Sequence, residues 1–114
     1  MADRVLTWYI QEIIGDGTNI GPVYYMERDY QPKRLRLYAR IPPTAGPIKV
    51  EVLDDGVSIF SQPAMLPQND QYEEAGEEFR NPEAAIAAGS WVSLKINPDT
   101  KGGKEISVHL ELDS

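Results

Sequence analysis

Lys33-Arg34-Leu35-Arg36-Leu37-Tyr38-Ala39-Arg40-Ile41 is the stretch that decides the fold. Leu35, Leu37, Ala39 and Ile41 occupy every second position, and Arg34, Arg36, Tyr38 and Arg40 fill the positions between them. Successive side chains of a strand point to opposite faces, so this segment buries one side and presents a basic, aromatic side. A helix would distribute both sets around its circumference and leave neither face consistent.

The same alternation recurs along the chain. Ile48, Val50 and Val52 alternate with Lys49 and Glu51. Val92, Leu94 and Ile96 alternate with Ser93 and Lys95, and Ile106, Val108, Leu110 and Leu112 alternate with Ser107, His109 and Glu111. Residues 5–14 are rich in aromatic and β-branched side chains and read as a strand, as do residues 22–27. Asp54-Asp55-Gly56 between two apolar runs reads as a tight hairpin. Residues 97–104 form a longer hairpin loop, and Asp16-Gly17-Thr18-Asn19 is a further turn cluster. Residues 41–47 hold too much proline for a central strand and must connect strands. Residues 71–82 read as an irregular strand or a short helix, and residues 82–89 as one helical turn opened by Pro82 and closed by Gly89. About eight short strands at regular turn spacing describe an all-β sandwich or barrel in one domain spanning residues 1–114. The expected core is Leu6, Trp8, Ile10, Leu35, Leu37, Val50, Val52, Ile59, Val92, Leu94, Val108 and Leu110. Trp8 and Trp91 both lie in strand-like apolar runs and are expected inside.

Composition narrows the function classes. A chain of 114 residues buries a core without covalent staples, and the absence of cysteine removes disulfides, thiolate catalysis and thiolate metal sites. A net charge of −7 repels phosphate backbones, so no nucleic acid is expected as a partner. No apolar run is long enough for a membrane helix, so no membrane is expected either. Met1-Ala2-Asp3-Arg4 carries no signal pattern, which points to synthesis and use without export. Charge is segregated: Arg28, Lys33, Arg34, Arg36 and Arg40 cluster in one stretch, and Asp70, Glu73, Glu74, Glu77, Glu78 and Glu83 in another.

Several segments taken in order resemble a small eight-stranded domain of tailed-phage virion proteins, found as head-fibre, decoration or tail-associated parts. They begin with Leu6-Thr7-Trp8-Tyr9-Ile10, Gly21-Pro22-Val23, Arg28 and the strand from Lys33 to Arg40. Pro43-Thr44-Ala45-Gly46, Ile48-Lys49-Val50-Glu51-Val52 and Asp55-Gly56-Val57-Ser58-Ile59-Phe60 follow. Ala87-Ala88-Gly89-Ser90-Trp91-Val92-Ser93-Leu94-Lys95-Ile96 and Ile106-Ser107-Val108-His109-Leu110-Glu111-Leu112 complete them. The acidic connection at 71–83 and the charged loop at 98–104 depart from that pattern, and loops carry partner choice. The resemblance implies an antiparallel β-sandwich of jelly-roll type and a trimeric structural part of a phage particle, made in the host cytoplasm. Its partners would be capsid or other virion proteins.

Candidate chemistry is sparse. His109 is the only histidine and lies on the polar side of its strand, where it reads as a solvated or hydrogen-bonded residue. Glu73, Glu74, Glu77 and Glu78 lack the spacing of a calcium loop and read as a solvated acidic segment or a docking surface. No metal, cofactor or catalytic set is expected, and the chain is read as a non-enzyme. Arg34, Arg36, Tyr38 and Arg40 form the stronger candidate: either a solvent face that blocks edge aggregation or a docking face that meets an acidic partner. In the docking reading the acidic segment is the complementary surface between copies. A second functional reading is a tail-located module binding host surface glycan through Tyr24, Tyr25 or Tyr30.

Overall fold

A computed structural model describes residues 4–12, 19–60, 62–75, 85–96 and 103–113. They form nine strands and, among the described residues, no helix. The strands are β1 (Arg4–Glu12), β2 (Asn19–Tyr25), β3 (Gln31–Ile41), β4 (Ile48–Asp54), β5 (Val57–Ser58), β6 (Ala64–Leu66), β7 (Tyr72–Ala75), β8 (Trp91–Ile96) and β9 (Lys104–Asp113). One sheet has the order β1-β9-β3-β7. The other runs β2-β8-β4-β5, with β6 also paired to β4. Every pairing is antiparallel. β5 pairs Leu53 and Asp54 while β6 pairs Ile48 to Val50, so the two short strands share β4 between them. The pairs are nested: β1 with β9, β2 with β8, β3 with β7, and β4 with β5 and β6.

Alternation puts the apolar residues of both sheets into one core. β1 contributes Leu6, Trp8 and Ile10, β3 contributes Leu35, Leu37 and Ala39, and β9 contributes Ile106, Val108, Leu110 and Leu112. The second sheet supplies Ile48, Val50, Val52, Ala64, Leu66, Val92, Leu94 and Ile96. Removing a large apolar side chain from water contributes about 1.5–3 kcal/mol each, which makes this shared layer the main stabilising term of the sandwich-like arrangement. All residues of the expected core are buried. Ile41, the last of the alternating apolar set in β3, is 47% exposed, and the larger correction is Trp91: it is 52% exposed. It occupies the opposite phase to Val92, Leu94 and Ile96, and the pleat turns it outward.

Two irregularities position side chains. The register of β2 against β8 shifts between Ile20 and Tyr24, at Gly21-Pro22-Val23. Proline is tolerated there because β2 is an edge strand and the bulge removes it from the ladder. The Pro22 carbonyl accepts a hydrogen bond from Trp8 Nε1 at 2.8 Å, which ties the β2 edge to β1 of the other sheet. The β4–β5 turn is the expected hairpin. Asp55 and Gly56 have φ of 50° and 90°, between the paired residues Asp54 and Val57. Positive φ at both central positions suits the twist of the flanking strands. Gly56→Ala is therefore expected to lower stability by about 1–2 kcal/mol through backbone strain, read as a urea midpoint shift, although a Cβ there meets no neighbour. Asp55→Asn, which tolerates the same backbone, is expected to shift it far less.

Other connections follow the turn signals. Residues 42–47 link β3 to β4, and Asn69 N donates to the Pro43 carbonyl at 2.7 Å. The helical turn expected at 82–89 is not formed in its described part: Ile86 bridges Tyr30 as an isolated antiparallel pair and a turn follows at Ala88 and Gly89. Residues 82–84, the turn at 16–18 and the loop at 97–102 lie outside the described residues. The segment 71–82 contains β7 over Tyr72–Ala75, and 76–82 lie outside the described residues. Among the described residues no helix is long and apolar enough to cross a membrane.

Candidate interaction face

The outer face of the β1-β9-β3-β7 sheet collects the candidate residues in rows across the strands. Arg36 stands opposite His109 on β9 and Glu74 on β7, and His109 stands opposite Thr7 on β1. The next row reads Tyr9, Ser107, Tyr38, Tyr72. Arg34 stands opposite Glu111, which in turn faces Val5.

The arginines are already paired within the chain. Arg36 Nε donates to Glu74 Oε1 at 3.1 Å, and Arg34 Nη1 reaches the same oxygen at 3.5 Å. Glu111 Oε2 lies 3.3 Å from both Arg34 Nε and Arg36 Nη1, an electrostatic contact without hydrogen-bond geometry. Arg40 Nη1 meets Glu105 Oε2 at 3.2 Å. Two arginines thus face two carboxylates, and the face carries little net charge. The hydrogen bond from Arg36, with the two guanidinium charges beside it, holds the Glu74 carboxyl below the usual glutamate range against the opposing effect of burial. The same bond raises Arg36.

The acidic segment divides. Glu73 and Glu74 are adjacent on β7 and point to opposite faces, so only Glu74 joins the arginines. Glu73 Oε1 accepts from the Glu74 backbone N–H at 3.2 Å. Glu77 and Glu78 lie outside the described residues. His109 is half-buried in the row between Thr7 and Arg36. Among the described residues no group of three His, Asp or Glu is arranged to hold a metal ion.

Tyr9, Tyr38 and Tyr72 are all exposed and share one row. Alternation marks Tyr38 as an outward residue, whereas Tyr9 and Tyr72 are not among the residues expected on the docking face. Tyr9 sits in the outward phase between Trp8 and Ile10, a signal that could have found it. Nothing short of strand pairing could bring Tyr72 beside Tyr38.

The tyrosines expected at a glycan contact separate, which corrects that set. Tyr30 is buried and its hydroxyl donates to Glu27. Tyr24 is half-buried, packs edge-on against Trp8 at 5.4 Å, and donates its hydroxyl to the Thr7 carbonyl at 2.6 Å. Only Tyr25 is exposed. The clasp between the sheets is Arg4 of β1: its guanidinium lies 5.9 Å from the centroids of the Tyr24 and Tyr30 rings, donates through Nη1 to the Tyr25 carbonyl at 3.0 Å and pairs with Glu27. The hydrogen bond from Tyr30 sets the Glu27 carboxyl below its usual range, helped by Arg4 and Arg28.

Both lowered carboxyls bind protons less readily folded than unfolded. Their contribution to stability is present above the ordinary glutamate range and is lost as pH falls through it toward the folded values. Urea midpoints measured from about pH 6 to about pH 3 should therefore fall, and the Glu27→Gln/Glu74→Gln double variant should show a shallower fall. An unchanged slope in the double variant would remove these groups from the acid response.

Compared with known proteins, the chain matches no protein-family model and no curated protein sequence.

Proposed function

We propose that the chain is a structural component of a tailed-phage virion, a capsid decoration or head-fibre module that docks on the shell through the outer face of the β1-β9-β3-β7 sheet. The observation that carries this reading is the exposed row of Tyr9, Tyr38 and Tyr72 beside arginines whose charges are paired in the same chain. Tyrosine and arginine are enriched at interface centres, where rigid amphipathic side chains bury area at low entropic cost. Charges already balanced by neighbours leave no single sign to be matched by the partner. Docking through this face is accordingly less dependent on an acidic partner than the basic strand alone implies. The electroneutral face is also a poor ligand for phosphate backbones.

We further propose that the sandwich is a jelly roll. β5 and β6 along one strand give eight strand positions, and the nested pairing is that of one long hairpin folded over into two sheets. Jelly rolls of this size are common building blocks of viral shells and of lectins. Assembly as a trimer follows from the sequence resemblance. Many copies on a shell need only modest affinity each, since multivalency supplies the remainder.

Gold-antibody labelling of intact source particles, viewed by negative stain, tests the assignment. Label over the head supports decoration. Label confined to the tail tip transfers the role to host adsorption, and absence of the chain from a mass-spectrometric inventory of the particle removes the virion reading altogether.

A further inference from the structure

Trp91 and Tyr25 lie opposite each other at the end of the β2–β8 pair, on the outer face of the second sheet. Trp91 is 52% and Tyr25 49% exposed, and their rings sit 5.1 Å apart with planes inclined by 59°. The pair is built rather than incidental. Asp55, held at positive φ in the β4–β5 turn, accepts from the Trp91 backbone N–H at 2.9 Å through Oδ1. Its own N–H donates to the Trp91 carbonyl at 3.0 Å. Arg4 fixes the Tyr25 carbonyl from the other side. Both rings therefore stand on backbone held from outside their own strands, Trp91 by the β4–β5 turn residue Asp55 and Tyr25 by the Arg4 side chain of β1.

We propose that this pair is a binding site for a neutral saccharide ring. Its size selects the class of occupant. Aromatic side chains carry about 150–250 Å² each, so two half-exposed rings offer on the order of 200 Å². A stable protein interface needs about 800 Å² on each partner, whereas one pyranose face matches two rings. The inclined planes let a sugar stack its apolar C–H face on the indole while the phenol borders it. Asp55 uses one acceptor position for Trp91, and a carboxylate has about four, so capacity remains for sugar hydroxyls. That carboxylate, on a chain of net charge −7, disfavours anionic ligands. The assignment does not rest on the virion reading, and the site lies on a different sheet from the tyrosine row.

The intact chain is titrated with maltotriose, cellotriose and chitotriose, with saturation-transfer NMR and tryptophan fluorescence as readouts. At least one trisaccharide is expected to receive saturation at its ring protons and to change the fluorescence. Trp91→Ala and Tyr25→Ala are each expected to weaken the response at least tenfold, with melting curves establishing that both variants fold. Trp91→Tyr, which keeps a stacking ring, is expected to recover part of it. Absence of transfer to all three sugars overturns the proposal, as does an equal response in Trp91→Ala. Concentration-dependent self-association of the wild type that disappears in Trp91→Ala, without saccharide binding, also overturns it and makes the pair a contact between copies.

Discussion

Trp8→Ala is expected to cost about 3–5 kcal/mol, a large part of the roughly 5–15 kcal/mol that holds a domain folded. In thermal unfolding this corresponds to a fall in Tm on the order of 10–20 °C. Trp8 is fully buried and packs edge-on against Tyr24 at an interplanar angle of 82°. Its indole N–H is also the link to the Pro22 carbonyl on the opposite sheet. Truncation empties the largest side chain of the core and releases the bulge that the hydrogen bond holds in place. Trp8→Phe separates the two effects: it keeps most of the ring volume and leaves the Pro22 carbonyl without its donor. Its expected cost is about 0.5–1.5 kcal/mol, the net contribution of one hydrogen bond, because Pro22 is exposed and water can take the donor's place. Equal stability of Trp8→Phe and wild type would mean that the cross-sheet bond contributes nothing and that packing alone closes this edge.

The second large effect concerns assembly. Tyr38→Ala combined with Tyr72→Ala is expected to abolish particle occupancy while leaving the isolated chain folded. Both side chains are exposed and contribute little to the core. At the centre of an interface, aromatic residues of this kind each cost about 2 kcal/mol or more when truncated, or roughly thirtyfold in affinity. Copies bound to one shell through repeated weak contacts amplify that loss. The arginines behave differently. Arg36→Ala removes a partner of Glu74 and Glu111 and leaves unbalanced acid on the face, so its effect should grow as salt is lowered. Occupancy unchanged in the tyrosine double variant would move docking to another surface.

Whether a feature is legible in the sequence depends on the kind of interaction that makes it. The strands and their inward residues follow from local alternation, as at Leu35, Leu37 and Ala39, and the Asp55-Gly56 turn follows from backbone chemistry. At Trp91 two local signals conflict. The apolar run around it argues for burial, while Val92, Leu94 and Ile96 set a phase that turns residue 91 outward, and the phase wins. Tyr30 lies inside because it bridges Ile86, a pairing between distant segments that no local pattern encodes. The same limit applies to the face itself. Arg36 and Glu74 are neighbours only because β3 and β7 pair, so the sequence displays a basic strand and an acidic segment where the fold has one balanced lattice. Tyr72 joins Tyr38 by the same register.

A cryo-electron microscopy map of purified source particles tests the central claim most directly. The expected result is density for a small two-sheet domain on the head surface, with Tyr38 and Tyr72 turned toward the shell. A particle map without such a domain, or one in which this face looks out to solvent, would contradict it.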